Sequence, residues 1–184
     1  MGWMRDETGL GKCAANYVPL TPLSHLQRAA LIFAEREAVV YGTTRLTYAQ
    51  YYRRVSRLAS ALTKVGIKPG DVVATILPNI PAQSEAAFGV PACGAVLNTI
   101  NTRLDVDTVA YIFAHGEAKV ALVDSQFLPL AVAAIEMMEG DGPRIIEVTA
   151  AVAGVPAIGE HQDYVDFIAT GDPAFAWRVP EDEW

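Results

Sequence analysis

The sequence predicts an α/β fold, a three-layer, doubly wound, mostly parallel sheet with flanking helices and a small hairpin towards the N-terminus. Three observations lead there. After Asp71, short β-branched apolar runs alternate with helix-patterned segments, the pattern of strands buried on both faces of a parallel sheet. The helical segments open on capping residues or on Pro in the first turn, and they close on Gly or Pro. Parallel strands joined by helices require right-handed crossovers, which place helices against the sheet.

Taken in order, Leu23 to Glu35 carries apolar residues at helical spacing, with Thr21 or Ser24 available as the cap. Ala38 to Tyr41 and Arg45 to Leu46, separated by Gly42-Thr43-Thr44, read as a hairpin. Thr47 and Gln50 have capping-box spacing. From Tyr48 to Val65 an apolar stripe follows at i, i+3, i+4, opposite Arg53, Arg54, Arg57 and Lys64, which read as a solvated face. Gly66 suits the left-handed position that ends this helix. The predicted strands are Val72 to Leu77, Ala95 to Leu97, Lys119 to Val123 and Arg144 to Val148. Between them lie helices from Pro81 to about Val90, where Pro91 kinks or closes the turn, from Asp105 to Gly116, and from Phe127 to Met138. Ala150 to Gly159 is small and apolar, Asp163 to Ile168 suggests a short helix, and Gly171-Asp172-Pro173 turns the chain. Phe175, Trp177 and Trp184 then form an aromatic tail with no further element, which predicts a surface that packs on something absent and an end that is a cut. Residues 1–22 read as a leader and 23–184 as one unit, incomplete at its C-terminus.

At 184 residues and 52% hydrophobic, the chain can bury about two-thirds of its unfolded surface. A net charge of -7 argues against nucleic acid or an anionic membrane surface as partner, since both need a positive field. The apolar runs are far shorter than the ~18 residues of a membrane span. The charged, glycine-bearing start lacks a signal-peptide core, which predicts a cytoplasmic protein. Cys13 and Cys93, far apart in a reducing compartment, predict no structural disulfide.

Candidate sites are few. Gly9-Leu10-Gly11-Lys12-Cys13 fails as a phosphate loop, because Asp6 stands where the first glycine belongs and no Ser or Thr follows Lys12. His25, His115 and His161 lie at no metal-ligand spacing, and no G-x-S-x-G elbow occurs. No catalytic, cofactor-binding or metal-binding residue is assigned. Asn98, Asn101 and Arg103 sit at the carboxyl end of a predicted strand, where open α/β sheets bind ligands, and are the candidate cleft-lining residues. The competing role for the two asparagines is to satisfy backbone groups in the turn before Asp105.

Leu46-Thr47-Tyr48, ILPN at Ile76 to Asn79, ACGAVLNTIN at Ala92 to Asn101 and HGEAKVALVD at His115 to Asp124 follow one another in fixed order. Together they resemble the opening of the adenylate-forming (AMP-binding) acyl-CoA synthetases, over nearly the whole chain from Leu20. LTPLSHLQRAA at Leu20 to Ala30 and NTINTRLD at Asn98 to Asp105 resemble the fatty or medium-chain branch most. The resemblance implies the N-terminal subdomain of the large domain of an ATP-dependent ligase in fatty acid metabolism. Such an enzyme joins a carboxylic or fatty acid to CoA and releases AMP and pyrophosphate, with ATP, Mg2+ and CoA as cofactors. The family's Ser/Thr/Gly-rich phosphate loop ending in Lys-Gly does not occur in these 184 residues. The chain alone is therefore expected to bind none of these cofactors and to be inactive. Ala87 departs from the larger polar residue that related sequences often carry. The alternatives are a free-standing flavodoxin-like binding or interaction module and a degenerate truncated product. A homo-oligomer is compatible with the sequence.

Overall fold

A computed structural model of the chain describes residues 11, 13, 15–149 and 161–180. Helix α1 (Pro22–Ile32) is capped by Thr21, whose hydroxyl accepts from the Leu23 amide. Strands β1 (Glu37–Tyr41) and β2 (Thr44–Thr47) form the antiparallel hairpin, with Gly42 at φ 54° in the turn. Helix α2 (Tyr48–Lys64) starts on the full capping box. The Gln50 amide donates to Thr47 Oγ1 at 3.3 Å, and Gln50 Oε1 accepts from the Thr47 amide at 2.9 Å. Gly66, at φ 98°, takes the left-handed position past its end.

The remaining elements are β3 (Val72–Ile76), α3 (Pro81–Ala92), β4 (Val96–Thr99), α4 (Val106–His115), β5 (Ala118–Asp124), a 3-10 turn (Ser125–Phe127), α5 (Leu128–Glu136), β6 (Arg144–Val148), β7 (Gln162–Asp163) and α6 (Tyr164–Ala169). The sheet has the order β4-β3-β5-β6-β7, every neighbouring pair parallel. The chain steps from β3 to β4 on one side and returns to β5 on the other. That reversal opens a crevice between β3 and β5 at the carboxyl ends of the strands.

Alternation along the strands divides the core into two layers. Val73, Val120, Leu122 and Ile146 point to one face and pack under α2, α3 and α6. Ala74, Ile76, Ala121, Val123 and Ile145 point to the other and pack under α4 and α5. Both faces are apolar because both are covered, which is why the strands read as continuous runs.

Four expectations change. A fifth strand, β7, was not expected, since two residues are too short for any periodicity. Helix α3 runs through Pro91 to Ala92, two residues beyond the expected end near Val90, and the last turn tightens, with Cys93 N donating to Val90 O and Gly94 N to Pro91 O. The basic face of α2 is not uniformly solvated, as Arg54 pairs with Glu85. The tail folds back onto its own chain. Trp177 stacks on Tyr52 at 4.6 Å between centroids and donates from Nε1 to Ser56 Oγ at 2.9 Å, while Phe175 packs on the core. The expectations for Gly9-Leu10, for 150–159 and for Trp184 lie outside the described residues. Cys13 and Cys93 are both free thiols, the first exposed and the second buried.

Candidate functional site

Helices α2, α3 and α6 meet above the carboxyl edge of the sheet, beside the hairpin. They enclose a cavity of ≈ 290 Å³ lined by Tyr41, Thr43, Thr44 and Leu46 of the hairpin, Arg54, Ile80, Ala82, Glu85, Val148, Thr149 and Tyr164. A larger hollow of ≈ 550 Å³ lies beside Arg144 and Gln162, at the amino end of β6. Ligands of parallel sheets bind at the opposite end, so the smaller cavity is the candidate site.

Its floor is a charged triad. Glu85 is fully buried in the second turn of α3. Arg54 Nε donates to Glu85 Oε1 at 2.5 Å and Arg54 Nη2 to Oε2 at 3.2 Å, while the Tyr164 hydroxyl donates to Oε2 at 2.7 Å. Three donors on two oxygens are what a carboxylate needs to remain charged out of water. Burial and the neighbouring Glu85 charge push the Tyr164 hydroxyl well above the usual phenol range. Burial alone would lower Arg54, but its hydrogen bond and charge pairing with Glu85 leave it raised. Next to the triad, Tyr51 hydrogen-bonds Ser84 at Oγ and at the carbonyl oxygen, and burial pushes its hydroxyl up to about 12.

Further polar groups gather at the strand ends. The Ser125 hydroxyl donates to buried Glu147 Oε1 at 2.7 Å, and Thr149 Oγ1 donates to Asp163 Oδ2 at 2.5 Å. Asp124 caps the 3-10 turn through Oδ1, and its Oδ2 has no hydrogen-bond partner among the described residues. Among those residues no group of three or more His, Cys, Asp or Glu side chains is arranged to hold a metal.

The three residues singled out from sequence lie elsewhere. Asn98 is half-buried in β4, with its Nδ2 against the position a Cβ on Gly116 would occupy. Asn101 and Arg103 are exposed, and Asn101 Oδ1 accepts from the Arg103 amide at 3.0 Å, a turn contact. None of the three lines the cavity. Sequence reasoning missed Glu85 and Arg54. The available signal was a lone carboxylate, between Ser84 and Ala86 on the apolar helix α3, which has to be paired when buried.

A family model described as AMP-binding enzyme matches residues 26–173. The chain is 42% identical to the peroxisomal acetate/butyrate–CoA ligase of Arabidopsis thaliana over 98% of its own length and 34% of that protein. It is 39% identical to the peroxisomal trans-cinnamate:CoA ligase of Petunia hybrida, over 95% of this chain and 33% of that one. The solved structure of the anthranilate–CoA ligase AuaEII with anthranoyl-AMP superposes with a TM-score of 0.76 over 91% of this chain and 31% of that chain, at 21% identity, a likeness of fold. The chain thus spans about a third of the length of the relatives it matches. With its strand order, its paired helical layers and this extent of match, the chain belongs to the AMP-binding enzyme family, and its sheet is that of the N-terminal subdomain of the adenylate-forming large domain.

Proposed function

We propose that the chain acts as the N-terminal part of an AMP-forming acyl-CoA ligase, which converts a carboxylic acid, ATP and CoA into acyl-CoA, AMP and pyrophosphate. The observation that carries this is identity near 40% to named acid–CoA ligases across almost the whole chain. Their names include acetate, butyrate and trans-cinnamate, which favours a short or compact acid over a long fatty chain.

The cavity does not fit ATP with Mg2+. It offers one guanidinium, already neutralised by Glu85, against several phosphate charges, and no metal-holding cluster stands among the described residues. No step of the reaction is therefore assigned to this chain. Residues 1–22 act as a leader and 23–184 as the subdomain that backs the cleft of the longer enzyme. In that reading Asn98, Asn101 and Arg103 line the cleft. An unchanged KM for the acid in Asn101→Ala of a full-length ligase would instead make Asn101 a turn residue.

The test has two parts. The native product, detected with an antibody against this chain, is expected to be several-fold heavier than 19.8 kDa. That product, with acetate, butyrate, hexanoate and cinnamate in turn, is expected to release pyrophosphate and to form AMP with CoA, while the 184-residue chain releases none. A heavy product inert towards all four acids, or turnover by the short chain, sinks the proposal. A sole product of 19.8 kDa points to the free-standing module. No helix among the described residues is long and apolar enough to cross a membrane. Cytoplasmic location is part of the reading, while several relatives are named peroxisomal. Fluorescence microscopy of the native product decides between them.

A further inference from the structure

Strand β1 has an open edge. Among the described residues it pairs only with β2, in a sheet of two strands. The register joins Tyr41 to Thr44 across the two-residue turn and Val40 to Arg45 next to it. The pair that closes such a turn exchanges its hydrogen bonds across the ribbon, so by alternation the amide and carbonyl of Val40 face outward. No other backbone hydrogen bond reaches Val40 among the described residues, and the residue is 60% exposed. Exposed edges are commonly blunted by lysine, proline or a bulge. On β2 the Arg45 guanidinium folds over the carbonyl oxygens of Gly42 and Thr44, at 2.7 and 2.9 Å. On β1 the irregularity lies at the start, between Glu37 and Val39, and residues 39–41 stay regular, with no lysine or proline.

A groove of ≈ 320 Å³ runs beside this edge, with Val40 and Tyr41 on one side and Asn79, Ile80, Pro81 and Gln83 on the other. None of its lining residues is charged, so it offers no counter-charge to a carboxylate, a phosphate or an ammonium group. Ile80 and Pro81 supply apolar wall. Gln83 Oε1, shut off from water, accepts no hydrogen bond among the described residues, and an unpaired buried acceptor favours an entering N–H group. Neutral walls, a missing donor and a free strand edge match a polypeptide backbone, which is neutral and carries N–H and C=O in alternation. A second copy fits less well, because its own β1 comes with β2 along one edge, and a two-stranded ribbon is wider than one strand. Glu37, exposed at the start of β1 and 4.0 Å from Arg45, suits a basic residue on the bound segment, as does the net charge of -7.

We infer that this groove binds an extended segment of another polypeptide, added as a third strand on the outer edge of β1. The segment is uncharged and β-branched where it lies in the groove, and basic where it passes Glu37. The inference goes beyond the ligase reading and does not depend on it, because it is read by binding and not by turnover.

The experiment titrates the purified 184-residue chain with the acetylated, amidated peptide Lys-Thr-Val-Thr-Val-Thr-Lys by calorimetry. The control is the same peptide N-methylated at its five central residues, which keeps the side chains and removes the N–H groups. The parent peptide is expected to saturate with a dissociation constant of about 0.1 mM, and the methylated one to bind at least about tenfold more weakly. With the parent peptide at about ten times its dissociation constant, the Val40 amide is expected to exchange with deuterium about tenfold more slowly, read by NMR. Val40→Pro removes the outward amide at an edge position, where proline is tolerated, and is expected to weaken the peptide about tenfold. Asn79→Trp, at an exposed position on the far wall, fills the groove and is expected to cause a similar loss at unchanged melting temperature. Equal binding of the methylated peptide, no saturation, unchanged exchange at Val40, or affinity unmoved by both variants overturns the proposal. Self-association in sedimentation that Val40→Pro abolishes also overturns it, by giving the edge to a second copy.

Discussion

Arg54 shows how far a single side chain can be read from sequence. Its place on the polar face of a helix follows from periodicity. Its partner does not, because Glu85 lies 31 residues away and the sequence carries no mark of the pairing. Removing one member of a buried pair leaves the other charged without compensation, which costs about 3–5 kcal/mol. Arg54→Gln is therefore expected to lower the urea midpoint far more than Glu85→Gln, which leaves a neutral amide opposite a partly solvated arginine. Equal losses would mean that solvent already screens Glu85. The two tyrosines set a pH limit on the same cluster. Their folded pKa values are raised, Tyr51 to about 12 and Tyr164 well above the phenol range, so the folded state keeps protons that the unfolded chain releases near 10. Their contribution is present below about pH 10 and is lost as pH rises through that value and beyond. Unfolding followed from pH 8 upward is expected to show stability falling above about pH 10, and less steeply in Tyr164→Phe. An identical slope in that variant would place the loss on other groups.

Among the elements, those with a local cause were legible. The capping box of α2, the left-handed Gly66 and the buried runs β3, β5 and β6 all stand where residue chemistry puts them. Elements with a distant cause were not. Strand β7 exists because Gln162 and Asp163 pair with Ile146 and Glu147, which no two-residue pattern could announce. The contact of α6 with α2 depends on Gly171 in the same hidden way. A Cβ at Gly171 would lie 2.0 Å from the Arg57 carbonyl oxygen, a backbone atom that cannot turn aside. At Gly89 the nearest atom would be Leu58 Cδ2 at 2.7 Å, the far end of a side chain with rotamers to use. Gly171→Ala is thus expected to cost more than Gly89→Ala, with overpacking of about 1–3 kcal/mol as the scale for the first. Melting temperatures that rank the two the other way would show that residues 170–172 shift freely off α2.

At the scale of the whole molecule, α2 is the axis on which the parts meet: the hairpin, α1, α3, α6 and finally the tail lie against it. The doubly wound class was legible because it follows from alternation and handedness. The closure of the tail was not, because three aromatics without an element gave no hint that Tyr52 and Ser56, over a hundred residues earlier, would receive Trp177. The strap is held at three points along its length, by Phe175 on the core, by Trp177 on α2 and by the Arg178 amide, which donates to Ala92 O at 2.8 Å at the end of α3. Trp177 is the central tie, so its loss frees both neighbours. Deleting a half-buried indole with its stacking partner and hydrogen bond costs about 2–3 kcal/mol, or about 5–10 °C in a domain of this size. Trypsin reports the strap directly, since cleavage after Arg178 requires the extended chain to lift from α3. Trp177→Ala is expected to be cut there faster than the parent chain, at temperatures where both remain folded. Equal cleavage rates would mean that the Arg178 amide and Phe175 hold the strap without the indole, and that the stacking on Tyr52 is incidental to closure.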